Sequence, residues 1–521
     1  MTDDYIDISL MLTRNAKAFP DKAAIFIDDG STTWRDFDCR VSQVANALQQ
    51  IGIDHGDKVG ILASPSPSAV EVFFGAIRAG ACAVPFSDMN DAGTLERMVN
   101  DADTKVLFLS DSMRDLVGDF AVRSSKLIPG GRIGLDFEAE GWTPLEELLA
   151  HTPATPPQAV IAPDDAFNII YSSGTTGRPK GIVHSHRMRS FQIARMGAHG
   201  FSPDSITLIA TPLYSNTTLV TLLPSLAFGG TVVLMPKFEA QEFLRVSEKY
   251  KVTHTMLVPV QFQRILDSIE FDLFDLSAYQ VKLSTGSPFP SALKQDALDR
   301  WPGRLVELYG VTEGGCTTVL DAGAHPNKLD SVGRPAPGVE IRILDAQGRE
   351  LPQGETGEIA GRAVSMMSGY FKQPALTEEI TWRDREGNAF YKTGDLGYVD
   401  GDGFLHLKGR TRDIIISGGM NIYASDLEQV LLQHPGVSEA AVIGIPSRRW
   451  GETPLAIVVL KPGIFVEPEE LLFWTNQRLG KAQRLYGIRI QPNLPRNALG
   501  KVDKRELKRS HRENGQPSEG A

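Results

Sequence analysis

Cysteine is scarce: Cys39, Cys82 and Cys316 are the only three in 521 residues. No two of them have metal-ligand or redox spacing. An odd number without a framework fits a reducing compartment, so small core thiols and a cytoplasmic location are expected. Positive charge is not in excess either. A formal net charge of −11 argues against a general binder of nucleic acid or anionic membrane, although a local basic pocket is compatible with it. The opening MTDDYIDISL is acidic, with no basic segment leading into an apolar run, so no secretory leader is expected. The long stretch without formal charge, Ser205 to Pro236, is broken by Pro212, Pro224 and Gly229-Gly230 and is rich in Ser and Thr. It reads as a buried strand–helix–strand passage, not a membrane span.

What is present is ordinary for a globular chain of several domains: 42% hydrophobic and 22% charged residues. Strands and helices alternate through the first part. Lys58 to Ala63 reads as a strand. Ser66 or Ser68 caps a helix to Ala79, Gly80 stops it, and Ala81 to Phe86 is the next strand. The same rhythm gives strands at Ile206–Thr211, Thr231–Met235, Thr253–Val258 and Val281–Thr285. Helices fall near Thr217–Ala227, Gln241–Tyr250 and Val260–Ile269. Such alternation predicts an α/β fold with parallel sheets covered on both faces. From about residue 330, Gly- and Pro-rich short strands predict a barrel-like β subdomain to residue 411. Residues 412–510 read as a small α+β domain, with a helix at Ala424–Gln433 and strands at Glu439–Ile445 and Leu455–Leu460. Residues 511–521 read as a disordered tail.

The most informative segment is YSSGTTGRPKG, Tyr171 to Gly181, after the apolar strand Phe167–Tyr171. Gly174 and Gly177 let the backbone approach an anion, and successive N–H groups can cradle it. The hydroxyls of Ser172, Ser173, Thr175 and Thr176 add donors, and Lys180 supplies a point charge. This is not a Walker A loop: Gly174 and Gly177 are too close, and Lys180 is followed by Gly181. His184 and His186 form an H-x-H pair, but no third ligand is evident and zinc is not expected.

At this loop the chain resembles the adenylate-forming superfamily: acyl- and aryl-CoA synthetases, adenylation domains of peptide synthetases, and luciferases. The resemblance continues through later motifs to Lys501. It implies a large N-terminal adenylation domain (1–411) and a small mobile C-terminal domain. It also implies use of ATP, Mg²⁺ and coenzyme A. Along TGSP, Gly286, Ser287 and Pro288 would lie beside adenine and the acyl group. In YGVTEGG, Tyr309 would stack on adenine, Gly310 would line the acyl site, and Thr312 and Glu313 would meet phosphate and Mg²⁺. Thr175 joins Glu313 in the metal role, and a hard carboxylate oxygen suits that ion. Asp395 would accept the ribose hydroxyls with Arg410 assisting. Arg412 would be the hinge between domains, at a position where many relatives carry Asp or Lys. Gly418 and Gly419 would pass the pantetheine arm. Lys501 would offset charge on the α-phosphate during adenylation. By contrast, turn chemistry accounts for Asp400 and Asp402.

The resemblance implies a ligase that joins a carboxylic acid to AMP and then to the thiol of coenzyme A. The segment TPLYSNTTL aligns with an acyl-site motif, placing Tyr214 and Ser215 at the substrate. Ser215 stands where relatives often carry a ring, which favours a fatty or aryl/arylalkanoic acid. No Asp follows Tyr214 to pair an amino group, which weakens an amino-acid substrate. Two rival readings remain: a stand-alone adenylation enzyme that loads a carrier protein, and a non-catalytic nucleotide-binding module. No nucleic-acid partner and no membrane span are expected, and homodimerisation is left open.

Overall fold

Parallel sheets carry the site in the computed structural model, which describes residues 5–124, 126–172, 179–417, 420–447, 449–480, 483–496 and 501–513. Packing divides the chain into two units. One holds residues 1–340 and 361–391, the other residues 341–360 and 392–521. Residues 392–411, expected in the large domain, thus pack with the C-terminal segment.

In the first unit six strands lie parallel, in the order Arg304–Tyr309, Val281–Ser284, His254–Leu257, Ile206–Ile209, Thr231–Leu234 and Ala23–Ile27. Antiparallel strands flank them: Gly30–Thr33 on one side, Thr318–Asp321 and Arg334–Pro335 on the other. Thr231–Leu234, His254–Leu257 and Val281–Ser284 are buried at every residue. Helices cover both faces of such a sheet, so its strands need not alternate. Because the strands run the same way, the segments leaving Ile209, Ser284 and Tyr309 emerge at one edge, where α/β sheets bind ligands.

A second sheet is built alike. Ala166–Ser172, Cys82–Pro85, Lys58–Leu62, Thr104–Leu109, Arg132–Gly134 and Thr143–Pro144 are parallel. Lys180–Ser185 and Gly369–Tyr370 extend it antiparallel. The expected strand–helix–strand unit is realised here. The Ser66 hydroxyl accepts the Ala69 N–H at 3.2 Å, capping the helix Pro67–Arg78, and Gly80 ends the turn at φ +81°.

Trp301 anchors the turn that feeds the strand Arg304–Tyr309. It is 1% exposed, and its ring lies 5.2 to 6.0 Å from those of Tyr279, Phe262, Phe243 and Phe271. Beneath it the buried Lys282 ammonium donates to the carbonyls of Trp301, Pro302 and Gly303 at 2.5, 2.7 and 2.7 Å. A single aromatic cluster thereby sets where the next strand, and the motif after it, begins.

In the second unit, residues 395–399 of the strand Ala389–Val399 pair antiparallel with Leu405–Arg410, with Asp395 opposite Arg410. The α+β segment follows. The long hairpin Val437–Ser447 and Gly451–Leu460 is flanked by Ile414–Ser417, Met420–Tyr423 and Gly487–Ile490. Helices Ala424–Leu432, Pro468–Asn476 and Lys504–Glu513 accompany it. The hairpin is longer than the expected strands Glu439–Ile445 and Leu455–Leu460: it continues through Pro446 and Pro454, both of which lie near its turn. The last helix continues through Glu513, into the segment expected to be tail. Among the described residues no helix is long and apolar enough to cross a membrane.

Trp301→Ala should cost about 3–5 kcal/mol, read as a lower denaturant midpoint for the transition of the first unit. An unchanged midpoint would contradict its anchoring role.

Candidate active site

The anion loop is closed by a hairpin. Ala166–Ser172 and Lys180–Ser185 pair antiparallel, with Ser172 opposite Lys180 and Tyr171 opposite Gly181. Ser172 and Lys180 are therefore neighbours where the loop leaves and re-enters the sheet. Ser173, Gly174, Thr175, Thr176 and Gly177 lie outside the described residues. The base of the hairpin is held by Tyr171, whose hydroxyl donates to Asp101 Oδ2 at 2.6 Å and whose ring stacks on Phe86 at 6.2 Å.

Tyr370 joins this hairpin to the YGVTEGG motif. The short strand Gly369–Tyr370 pairs with Val183 and Ile182. The Lys180 ammonium sits 5.4 Å from the Tyr370 ring centroid, within cation–π range. The Tyr370 hydroxyl donates to Glu313 Oε1 at 2.7 Å. Burial, reinforced by the Glu313 charge, pushes the Tyr370 phenol well above its ordinary range, so it stays a donor. The Met367 N–H also donates to the Glu313 carbonyl at 2.8 Å. The next residue must be glycine. Gly314 has φ +76°, and a Cβ there would stand 2.0 Å from the Ser365 carbonyl oxygen. Tyr370 carried no motif signal in the sequence; only the fold brings it to Glu313.

The other loops of the sheet edge follow the strands as expected. Thr285 Oγ1 donates to the Leu308 carbonyl at 2.7 Å, tying the TGSP turn to the end of the neighbouring strand. Gly286 (φ +96°) and Ser287 are partly buried, Pro288 and Gly310 are exposed, and Tyr309 is buried at its strand end. Thr312 is fixed through its carbonyl, 2.8 Å from His184 Nε2. His184 is buried in the sheet, and its Nδ1 faces the Arg189 guanidinium at 2.9 Å. A guanidinium only donates, so Nδ1 accepts and Nε2 carries the proton toward Thr312. Burial, then the Arg189 charge, holds His184 well below 6.5. His186 instead opens the helix His186–Met196 and meets the Tyr5 hydroxyl at 3.2 Å. The H-x-H pair therefore splits between two different tasks.

In TPLYSNTTL the Thr218 hydroxyl meets Thr211 Oγ1 at 2.7 Å and donates to the Pro212 carbonyl at 2.6 Å, closing the turn. Ser215 caps the helix Asn216–Ala227, its hydroxyl accepting the Thr217 N–H at 3.2 Å. Tyr214 is half-buried, and burial, with the Asp88 charge adding, pushes its phenol up to about 12. Asp88 is a carboxylate beside Tyr214 that the local sequence pattern did not reveal.

In the second unit Asp395 is buried, and Arg410 Nε lies 3.0 Å from its Oδ1. Arg412 sits in the helical turn Thr411–Asp413, where burial and the nearby Arg410 lower its pKa. Lys501 immediately precedes Val502, which bridges Arg496. Gly418 and Gly419 lie outside the described residues, between the paired Ser417 and Met420. Of the predicted residues, Lys180, Thr312 and Glu313 come together in the first unit, and Asp395 and Arg410 in the second.

Comparison with known proteins agrees over nearly the whole length. The AMP-binding enzyme family model matches residues 12–371, and that of the AMP-binding enzyme C-terminal domain matches residues 426–501. A feruloyl-CoA synthase of Amycolatopsis is 31% identical over 499 residues, covering 95% of this chain and 97% of the relative. A fatty acid–[acyl-carrier-protein] ligase, ScoC of Streptomyces coeruleorubidus, is 30% identical over 505 residues, covering 95% and 94%. The crystal structure of ATP-bound MatB from Rhodopseudomonas palustris superposes with a TM-score of 0.87 at 27% identity, covering 98% of this chain and 100% of that one. The chain belongs to the AMP-binding enzyme family, the adenylate-forming superfamily that its motifs resemble. Within it, this is an AMP-forming acid–CoA ligase.

Buried neutral histidines make the protein acid-sensitive. His184, His186, His199 and His254 are all held below 6.5 chiefly by burial, His186 and His199 at about 4. Below pH 6.5 the unfolded chain takes up protons that the folded chain refuses, so stability falls as pH falls. Each such histidine adds about 1.4 kcal/mol per pH unit to that slope. His184→Gln should remove its share between pH 6 and 5 in pH-dependent denaturation. An unaltered slope would contradict the neutral assignment.

Proposed function

We propose that this ligase activates a fatty, aryl or arylalkanoic acid in the cytoplasm, where its cysteines stay reduced. The observation that carries the site reading is Tyr370, which holds an ammonium over its ring and a carboxylate at its hydroxyl beside the Gly/Ser/Thr loop. A carboxylate is a poor acyl donor because its leaving group would be oxide. Attack of one carboxylate oxygen on the α-phosphate of ATP forms the mixed anhydride and breaks the bond to pyrophosphate. Lys180 and the hydroxyls of Ser172, Ser173, Thr175 and Thr176 offset charge on the phosphates. Glu313 fits Mg²⁺: its second carboxylate oxygen has no protein partner among the described residues, and Thr175 can join it. When bound, the ion spreads phosphate charge.

Tyr309 stacks on adenine, with Gly286, Ser287, Pro288 and Gly310 alongside adenine and the acyl group. Asp395 accepts the ribose hydroxyls, its carboxylate held by Arg410. Lys501 offsets charge building on the α-phosphate. In the second half-reaction the coenzyme A thiolate attacks the acyl carbonyl and AMP leaves. The two halves need different groups at one centre. A pivot at Arg412, between residues 1–411 and 412–510, exchanges Lys501 for the glycines Gly418 and Gly419, past which pantetheine enters. A carrier-protein thiol is the second acceptor to test, because ScoC is named for one.

Acid-dependent AMP release, assayed across fatty, aryl and arylalkanoic acids with coenzyme A or a phosphopantetheinylated carrier, tests substrate and acceptor together. Turnover with the carrier alone would replace coenzyme A in this reading. Lys501→Ala should lower ATP–pyrophosphate exchange about 10²- to 10³-fold, while thioester formation from a supplied acyl-adenylate is largely kept. Arg412→Pro should do the reverse, sparing exchange more than thioester formation. Equal loss of both half-reactions in either variant would contradict the exchange of groups.

A further inference from the structure

Arg189 lies in the helix His186–Met196, is 1% exposed, and touches no carboxylate among the described residues. Its hydrogen bonds all go to neutral groups. Nε and Nη2 donate to Asn168 Oδ1 at 3.0 and 2.9 Å, and Nη2 also to His184 Nδ1 at 2.9 Å. Nη1 donates to Gln192 Oε1 at 2.6 Å and to Asn216 Oδ1 at 2.9 Å. A buried cation is costly unless a counter-charge or a full set of acceptors meets it. Here the acceptors are complete and the counter-charge is missing. Burial accordingly pulls Arg189 down to about 9.

The direction of these bonds fixes more than the arginine. A guanidinium has five N–H donors and no acceptor, so every amide beside it must present its oxygen. The NH₂ groups of Asn216 and Gln192 are therefore turned away from Nη1. Neither has a hydrogen-bond partner among the described residues, although Gln192 is only 4% exposed. Asn216 is partly buried and is the first residue of the helix Asn216–Ala227, directly after Tyr214 and Ser215. A free alternative orientation, with the amide nitrogen toward Arg189, would set donor against donor beside a positive charge. The side of Asn216 offered to a ligand is thus a donor, backed by a cation.

We propose that Asn216, oriented by Arg189, is a specificity-determining donor that receives an oxygen acceptor on the acyl part of the acid, remote from the reacting carboxylate. The favoured acids carry a hydroxyl, ether, carbonyl or second carboxylate there. A plain hydrocarbon in its place leaves the amide N–H unpaired and the buried charge unanswered, which is how polar sites reject deoxy analogues. Arg189 acts through Asn216 and is a positioning residue. The proposal rests on the reading above that TPLYSNTTL lines the acyl site.

The test is acid-dependent ATP–pyrophosphate exchange by the full chain with isosteric pairs. These are 3-(4-hydroxyphenyl)propanoate against 3-(4-methylphenyl)propanoate, and 10-hydroxydecanoate against undecanoate. The wild type should favour the oxygenated member of at least one pair by about tenfold or more in kcat/KM. Asn216→Leu should bring that ratio to about one, chiefly through a higher KM for the oxygenated acid. Arg189→Met should lose the same discrimination without touching the acid. KM for ATP reports whether each variant keeps its nucleotide site. If Arg189→Met fails to fold, Asn216→Leu on the partly exposed helix start decides alone. A wild-type ratio near one in both pairs overturns the proposal. So does an Asn216→Leu variant that weakens both members equally, as a grip on the reacting carboxylate would. Exchange with none of the acids would instead strike the fatty and arylalkanoic reading itself, and this proposal with it.

Discussion

In the proposed function a lysine and a glutamate serve one polyphosphate, so they must stand close without neutralising each other. Tyr370 meets that constraint. Its ring face takes the Lys180 ammonium and its hydroxyl takes one oxygen of Glu313, so a neutral aromatic separates the two charges. Among the described residues neither charge has an ion-pair partner. A direct Lys180–Glu313 bridge would have to be broken each time nucleotide bound. The tyrosine leaves the cation open for the phosphate, and the anion open for the hard metal ion, of the proposed function, and its raised pKa keeps the hydroxyl protonated.

This arrangement depends on two pieces of backbone meeting at one place. The hairpin that carries Lys180 ends an antiparallel extension of one sheet, and Glu313 follows the strand Arg304–Tyr309 of another. Gly369–Tyr370 pairs with the first, and Met367, a few residues earlier, bonds the backbone of Glu313. His184 adds a second tie from the same hairpin to the Thr312 carbonyl. Gly314 permits the approach, since any side chain there would collide with the Ser365 carbonyl. The chemistry of the site is therefore inseparable from strand register and from one left-handed glycine.

Much of this is legible in the sequence. Strand–helix–strand units showed themselves through apolar runs, a serine cap such as Ser66 and stops such as Gly80, all local signals that the structure repeats. The anion loop was legible because its composition is unusual at a strand end. What stayed hidden was non-local or ambiguous. Tyr370 follows the phosphate loop by almost two hundred residues, in a strand too short to show a period. Arg189 and Gln192 sit in a polar helix, HRMRSFQIARM, that gives no local sign of burial, yet both are buried, and Asn168, His184 and Asn216 supply acceptors to Arg189. Ser215 carries both a helix cap and the proposed substrate position, and the cap alone explains its hydroxyl. Asp88 reaches Tyr214 only through the fold.

The central claim is that the hairpin lysine and the distant glutamate work on the same bound nucleotide. A double-mutant cycle of Lys180→Met and Glu313→Gln in acid-dependent ATP–pyrophosphate exchange addresses it directly. The account predicts strong coupling, with the double variant losing far less than the product of the single losses. Strictly multiplicative losses would mean that the two residues act independently, and the site as built here would be wrong.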